Sequence, residues 1–347
     1  MRDSSMAGDN ELGPNWRYTL SDTDWSPDPE LQRLLESAWT ERHDTGTGFR
    51  YRVNIERERI APGRFGFLLQ LNRMRLSDRR QPQQFTQHAP FDASKFNFNR
   101  VAPGEILLEL LVTADADSGA SVPVTLLINN SPLSVFHSLV VPERAQQRAQ
   151  HLTPSAVRVA LQLLYRLPDR RYRLAYNSPG ALASVNHLHL HLVRIEHELY
   201  VQRAPLVPLD KSQLLYRLAD GLPAQGFCYV LRKPNRDAAI FFRALNELLA
   251  SLARRQMAYN LFFTWTHLSP EEADDDACIR VLVYPRVQPC ANKRACSFNA
   301  AALELSGYVS VGDPVDYERL TEDSIRGALR DAQGDVYGPL LYNPCCF

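Results

Sequence analysis

Hydrophobic positions change period several times along the chain, and each change marks an element. Leu31, Leu34, Leu35 and Trp39 recur at helical spacing and predict an amphipathic helix over residues 30–42. Short apolar runs separated by Pro, Asn and Asp then predict strands at 65–71, 105–112, 122–128 and 139–141. Helical spacing returns with Val157, Leu161 and Leu164 over 154–167, where Thr153 is placed to cap the first turn. Strands are predicted at 171–176 and 185–195, on either side of a Ser178-Pro179-Gly180 turn. A proline-bearing bridge over 204–208 leads to a strand at 227–231, a long amphipathic helix over 237–256, and strands at 260–265 and 279–284.

Both halves therefore run strand, strand, helix, strand, although no residue-level repeat is visible. The pattern predicts an α+β fold with largely antiparallel sheets, not alternating β and α units. Residues 1–28 are polar, broken by Gly and Pro, and are expected to form a flexible tail. Residues 29–203 and 204–347 are expected to be the two halves. A chain of 347 residues with 45% hydrophobic content can bury one large core or two packed ones.

Charge narrows the choice of partners. Lys+Arg and Asp+Glu are both 39, and a balanced chain lacks the cationic excess needed to coat a polyanion, so no nucleic-acid partner is expected. Met1 to Trp16 has no apolar segment of the secretory kind, and the richest apolar stretch, Ile106 to Val112, is too short to cross a bilayer. Six cysteines, none in a CxxC pair, all lie from residue 228 onward. That spacing suits neither a zinc knuckle nor a disulfide framework, and a cytoplasmic location is expected.

The candidate chemistry is concentrated in five residues, His187-Leu188-His189-Leu190-His191, which hold three of the nine histidines. On a strand, alternation places the imidazoles on one face and Leu188, Leu190 and Leu192 on the other, so a core-packed leucine face turns the imidazoles toward something polar. Two chemistries compete. Imidazoles two apart on a strand can share a zinc ion, but the nearest carboxylate, Glu196, lies beyond the triad on the same strand. Alternatively one imidazole attacks phosphorus while its neighbours bind phosphate oxygens. The small polar turn Asn177, Ser178, Gly180 and Ser184 just upstream favours phosphorus, and no metal is assigned.

These residues resemble a family. Asn177-Ser178 followed by Ser184-Val185-Asn186-His187-Leu188-His189-Leu190-His191 is similar to the histidine-triad signature, and Asn129-Asn130-Ser131-Pro132 with His137-Ser138-Leu139-Val140-Val141-Pro142 is similar to its second motif. Gly66-Phe67, Gln70-Leu71-Asn72, Phe96-Asn97-Phe98-Asn99, Pro103-Gly104-Glu105, Asn260-Leu261-Phe262 and Phe298-Asn299 extend the likeness to the GDP-D-glucose phosphorylases. These are relatives of the GDP-L-galactose phosphorylases and of galactose 1-phosphate uridylyltransferase.

The resemblance implies two histidine-triad-like halves packed together. Its substrates are GDP-D-glucose and inorganic phosphate. Its reaction is guanylyl transfer through a covalent histidine, with no cofactor required and Mg²⁺ at most accompanying the nucleotide. It implies His189 as nucleophile, His191, Ser184 and Asn177 on the attacked phosphate, and His187 and His137 as supports. Asn129 stands where many triad proteins place a ribose-gripping aspartate, and Asn97 and Asn99 are expected near the nucleotide. The alternatives are a nucleotide hydrolase of the same superfamily and a non-catalytic guanine-nucleotide-binding regulator.

Overall fold

The computed structural model describes residues 17–21, 24–78, 83, 85–113, 121–210, 214–232, 234–267, 277–290 and 297–341. In the first half the strands are β1 (Arg17–Leu20), β2 (Arg57–Ile60), β3 (Leu68–Leu71), β4 (Ile106–Thr113), β5 (Ser121–Ile128), β6 (Ser138–Pro142), β7 (Tyr172–Asn177) and β8 (Leu190–Arg194). Its helices are α1 (Pro29–Thr45), α2 (Met74–Ser77) and α3 (Pro154–Arg166). The second half adds α4 (Tyr200–Arg203), β9 (Leu206–Pro208), β10 (Leu215–Leu218), β11 (Phe227–Leu231), α5 (Pro234–Arg254), β12 (Ala258–Thr266) and β13 (Cys278–Arg286). After these come α6 (Ala302–Leu305), β14 (Tyr308–Val311), α7 (Pro314–Arg319), α8 (Glu322–Gln333) and α9 (Tyr337–Leu341).

One sheet carries both halves, in the order β1-β4-β5-β6-β8-β7-β12-β13-β11-β10-β9. From β4 the first half reads three strands, then the last strand, then the fourth. From β9 the second half reads the same way, with α3 and α5 at corresponding places in the two sequences. The halves meet where β7 and β12 pair antiparallel, with Asn177 directly opposite Asn260. Most pairing is antiparallel, as expected; β1 with β4 and β14 with β3 are parallel.

Residue alternation assigns the two faces. Leu174, Tyr176, Leu188, Leu190, Leu192, Leu261 and Phe263 join the helices α1, α3 and α5 in one core. Ala175, Val193, Phe262, Leu282 and Tyr284 join the opposite core with the small sheet β2-β3-β14 and α8. Local chemistry sets the helix ends. Asp28 accepts from the Leu31 amide at the start of α1, and Thr153 accepts from the Ala156 amide at the start of α3.

Four expectations need correction. The segment before Asp28 is not wholly a loose tail: residues 17–20 form edge strand β1, and Tyr18 donates to Asp28, which also binds Arg166. The strand expected over 185–195 begins only at Leu190, because 184–187 is a bend whose polar groups bond to loops. Phe96-Asn97-Phe98-Asn99, whose alternation reads as a strand with one aromatic and one amide face, is instead the entry to a 3₁₀ turn over Phe98–Arg100, capped by Asn97, whose Oδ1 accepts from the Asn99 amide. The strand expected over 65–71 is limited to Leu68–Leu71. Lys293 and Arg294, basic residues that could serve a phosphate, and the vicinal Cys345-Cys346 lie outside the described residues.

Candidate active site

A cavity of about 390 Å³ opens on the face of the sheet opposite α3 and α5. Its floor comes from β7, through Ala175 and Asn177, and from β8 and the residue just before it, through His191 and His189. One wall is Asn129, Asn130, Ser131 and His137 from the turn between β5 and β6, and another is Ser297 to Glu304 from the second half. An apolar corner is made by Phe98, Val101, Leu127, Leu139 and Val185.

Hydrogen bonds fix the tautomer of each imidazole. His189 Nδ1 lies 2.8 Å from the His187 carbonyl oxygen and 2.9 Å from Gln150 Oε1. Gln150 is itself oriented unambiguously, because its Nε2 donates to two carbonyls, of Asn177 and His189, and its Oε1 accepts from the His189 amide. Two acceptors at Nδ1 place the proton there, so Nε2 carries the lone pair.

The second chain of bonds runs the other way. The Leu133 amide donates to His137 Nδ1, so His137 carries its proton on Nε2, 3.1 Å from His191 Nδ1. His191 then bears its own proton on Nε2 and acts as a donor. Burial, helped by the nearby Arg75 cation, holds His137 well below the usual imidazole range, so it stays neutral. The rings of His189 and His191 meet edge to face with centroids 5.2 Å apart.

His187 does different work. The Phe98 amide donates to its Nδ1, and its Nε2 donates to the Arg144 carbonyl. Burial pushes it down to about 4, against the opposing effect of the Arg144 carbonyl. With both nitrogens engaged it has none to offer a metal, and it lies outside the cavity lining. Alternation would have put all three imidazoles in the cavity; the bend before β8 leaves two. Among the described residues no group of three or more His, Cys, Asp or Glu is arranged to hold a metal ion.

Of the other residues singled out from sequence, Asn177, Ser184 and Asn129 line the cavity. Asn129 Oδ1 accepts from the Ser131 amide, which leaves its Nδ2 3.0 Å from His137 Nε2 as a close contact between two N–H groups and not a hydrogen bond. Asn97 and Asn99 are not part of the lining; Asn97 is spent on its own turn and Asn99 is exposed. Ser178 and Gly180 hold the preceding turn against β12 and Cys290 rather than facing the cavity. Gly180 has φ +76°, and a Cβ there would sit 3.0 Å from Pro289 and 3.1 Å from Ala258.

Sequence reasoning missed Gln150, which lies between two motifs with nothing to distinguish it. It also missed Arg75, whose Nη1 donates to the Ser131 carbonyl and which is the only Lys or Arg among the described lining residues. Glu105 and Glu304 are the lining carboxylates.

Comparison with known proteins agrees with the motifs. Residues 30–193 match the family model described as GDPGP1-like, N-terminal domain. The chain is 35% identical to GDP-D-glucose phosphorylase 1 of Danio rerio over 300 residues, covering 85% of this chain and 84% of that one. It is 35% identical to GDP-D-glucose phosphorylase 1 of Homo sapiens over 311 residues, covering 88% and 80%. Among solved structures, yeast Ap4A phosphorylase Apa2 in complex with Ap4A superposes with a TM-score of 0.59 at 17% identity, covering 89% of this chain and 98% of that one, a likeness of fold.

Proposed function

The chain belongs to the GDP-D-glucose phosphorylase family, and from that premise we propose that it transfers the guanylyl group of GDP-D-glucose to inorganic phosphate through His189. His189 Nε2 attacks the α-phosphorus, and the bond from that phosphorus to the bridging oxygen breaks, releasing glucose 1-phosphate. The guanylyl group stays on Nε2. An oxygen of inorganic phosphate then attacks the same phosphorus, the P–N bond breaks, and GDP leaves.

The observation that carries this reading is the tautomer of His189. With its proton held on Nδ1 by the His187 carbonyl and Gln150 Oε1, the lone pair sits on Nε2 without any proton having to move first. Once Nε2 is bonded to phosphorus the ring is cationic, and the same two acceptors stabilise it. His191, its Nε2–H set by His137, donates to a phosphate oxygen as charge builds up; Asn177 and Ser184 add donors, and His187 and Asn129 support. Arg75 meets the charge of the second phosphoryl group or of the incoming phosphate. The apolar corner of Phe98, Val101, Leu127, Leu139 and Val185 takes the flat base.

The reaction so written needs no cofactor of the protein's own; any Mg²⁺ arrives with the nucleotide. Among the described residues no helix is long and apolar enough to cross a membrane. We place the protein in the cytoplasm, where Cys228, Cys278 and Cys290, none of them in a disulfide, remain thiols. The test is incubation with GDP-D-glucose, with and without phosphate, resolving the nucleotides by anion exchange. GDP formed only with phosphate is the expected result. GMP formed regardless of phosphate assigns a hydrolase, and no turnover at stoichiometric protein leaves only nucleotide binding.

A further inference from the structure

Arg286, at the end of β13, is buried, and the acceptors found for it are neutral: Asn260 Oδ1 at 2.8 Å and the carbonyls of Ala300 and Ala332. Burial lowers it to about 10, so it stays charged at neutral pH. Burying a cation is costly, and here the position it reaches is one residue away from the cavity floor.

A guanidinium can only donate, and that removes the ambiguity of every amide it touches. Asn260 must turn Oδ1 toward Arg286. Its Nδ2 therefore points the other way, donating to the Ala181 carbonyl at 2.8 Å and to Asn177 Oδ1 at 2.6 Å. Asn177 Oδ1 also accepts from the Ala302 amide at 3.0 Å. With its oxygen claimed by two donors from the second half, Asn177 presents its NH₂ to the cavity it lines.

We propose that Arg286 and Asn260 are positioning residues of the second half that hold the Asn177 amide as a hydrogen-bond donor toward the nucleotide phosphates. The relay runs through directly opposed residues of β7 and β12, the two strands at which the halves join. It gives the second half a part in the chemistry of the first. Reversed, the same amide would aim a carbonyl oxygen at a phosphate oxygen. The relay rests on the reading of the cavity as a guanylyl-transfer site.

The test is a double-mutant cycle over Asn177→Ala and Asn260→Asp, read both as turnover of GDP-D-glucose with phosphate and as equilibrium binding of GDP. An aspartate at 260 keeps its bond to Arg286 but sets an acceptor against Asn177 Oδ1. A hydrogen bond to a charged group contributes about 1.5–3 kcal/mol, which is roughly a 10- to 150-fold change. Each single variant is expected to lose about that much GDP affinity and kcat/KM. In the Asn177→Ala background, Asn260→Asp is expected to cost no more than about two-fold further, because all that is left for it to break is the bond to the Ala181 carbonyl, which does not line the cavity. Losses that multiply, or an Asn260→Asp variant with full affinity, overturn the relay. Should Asn260→Asp fail to fold, Asn260→Ala carries the same cycle. Wild-type protein that binds GDP but does not turn over GDP-D-glucose contradicts the reaction and leaves the cycle readable in binding. Wild-type protein that does not bind GDP overturns both.

Discussion

His189 is set up by its neighbours more than by itself. Its proton is pinned by a backbone carbonyl two residues back and by Gln150, and Gln150 in turn binds the carbonyls of Asn177 and His189. Replacing Gln150 with Leu leaves these buried groups unpaired, at a cost of about 1–3 kcal/mol in stability, with a fall in kcat as Nδ1 loses an acceptor. Denaturant unfolding and steady-state kinetics check both; an unchanged kcat would mean that the His187 carbonyl holds the tautomer alone. His189, His191, Ser184 and Asn177 were legible as lining residues because strict alternation among leucines and a small polar turn are rare patterns, whereas alternation misplaced His187, which the bend before β8 takes out of the cavity. Gln150 and Arg75 were not, because a single polar residue acquires a role only from what the fold brings beside it. Asn97 and Asn99 show the converse: alternation on paper fails where the chain makes a 3₁₀ turn.

Elements were legible where their ends carry chemistry. Thr153 before Pro154 marks the start of α3, whereas α1 was read from the spacing of its apolar residues alone, and its cap, Asp28 before Pro29, was missed. Asp28 does more than cap, since it also binds Tyr18 of β1 and Arg166 of α3. Asp28→Ala is expected to cost about 1–2 kcal/mol from the cap alone, seen as a lower Tm with activity retained in the folded fraction. No loss of Tm would show the network to be redundant. Short strands such as β1, β9 and β10 escaped notice because three or four residues carry too little periodicity. The late start of β8 was likewise hidden, because partners far away in sequence hold the bend: Gln83 Oε1 accepts from the Asn186 amide, and Asn186 Nδ2 donates to the carbonyls of Ala89 and Pro90.

At the scale of the molecule, one sheet joins two halves of the same strand order, and the site lies near their seam. The order read from sequence, strand, strand, helix, strand in each half, pointed to two like halves but not to the three strands before each helix and two after it, nor to the pairing of β7 with β12, which no local pattern encodes. Burial of histidines gives the whole fold a pH signature. His187 is pushed down to about 4, and His137 and His151 are also lowered, in each case chiefly by burial. A lowered folded-state imidazole means that the unfolded chain takes up protons first as pH falls. Stability is therefore full above about pH 6.5 and declines as pH drops toward about 4. Thermal melts across that window are expected to show a steadily falling Tm. A flat profile would mean that these rings are solvated in the folded state.

The central claim, that His189 carries the guanylyl group, is tested most directly by trapping it. The protein is mixed with GDP-D-glucose in the absence of phosphate, digested under mildly alkaline conditions that spare a P–N bond, and mapped by mass spectrometry. One guanylyl group on the peptide containing His189, absent from His189→Asn and discharged as GDP when phosphate is added, is the predicted result. An unmodified His189 peptide while glucose 1-phosphate accumulates would contradict it.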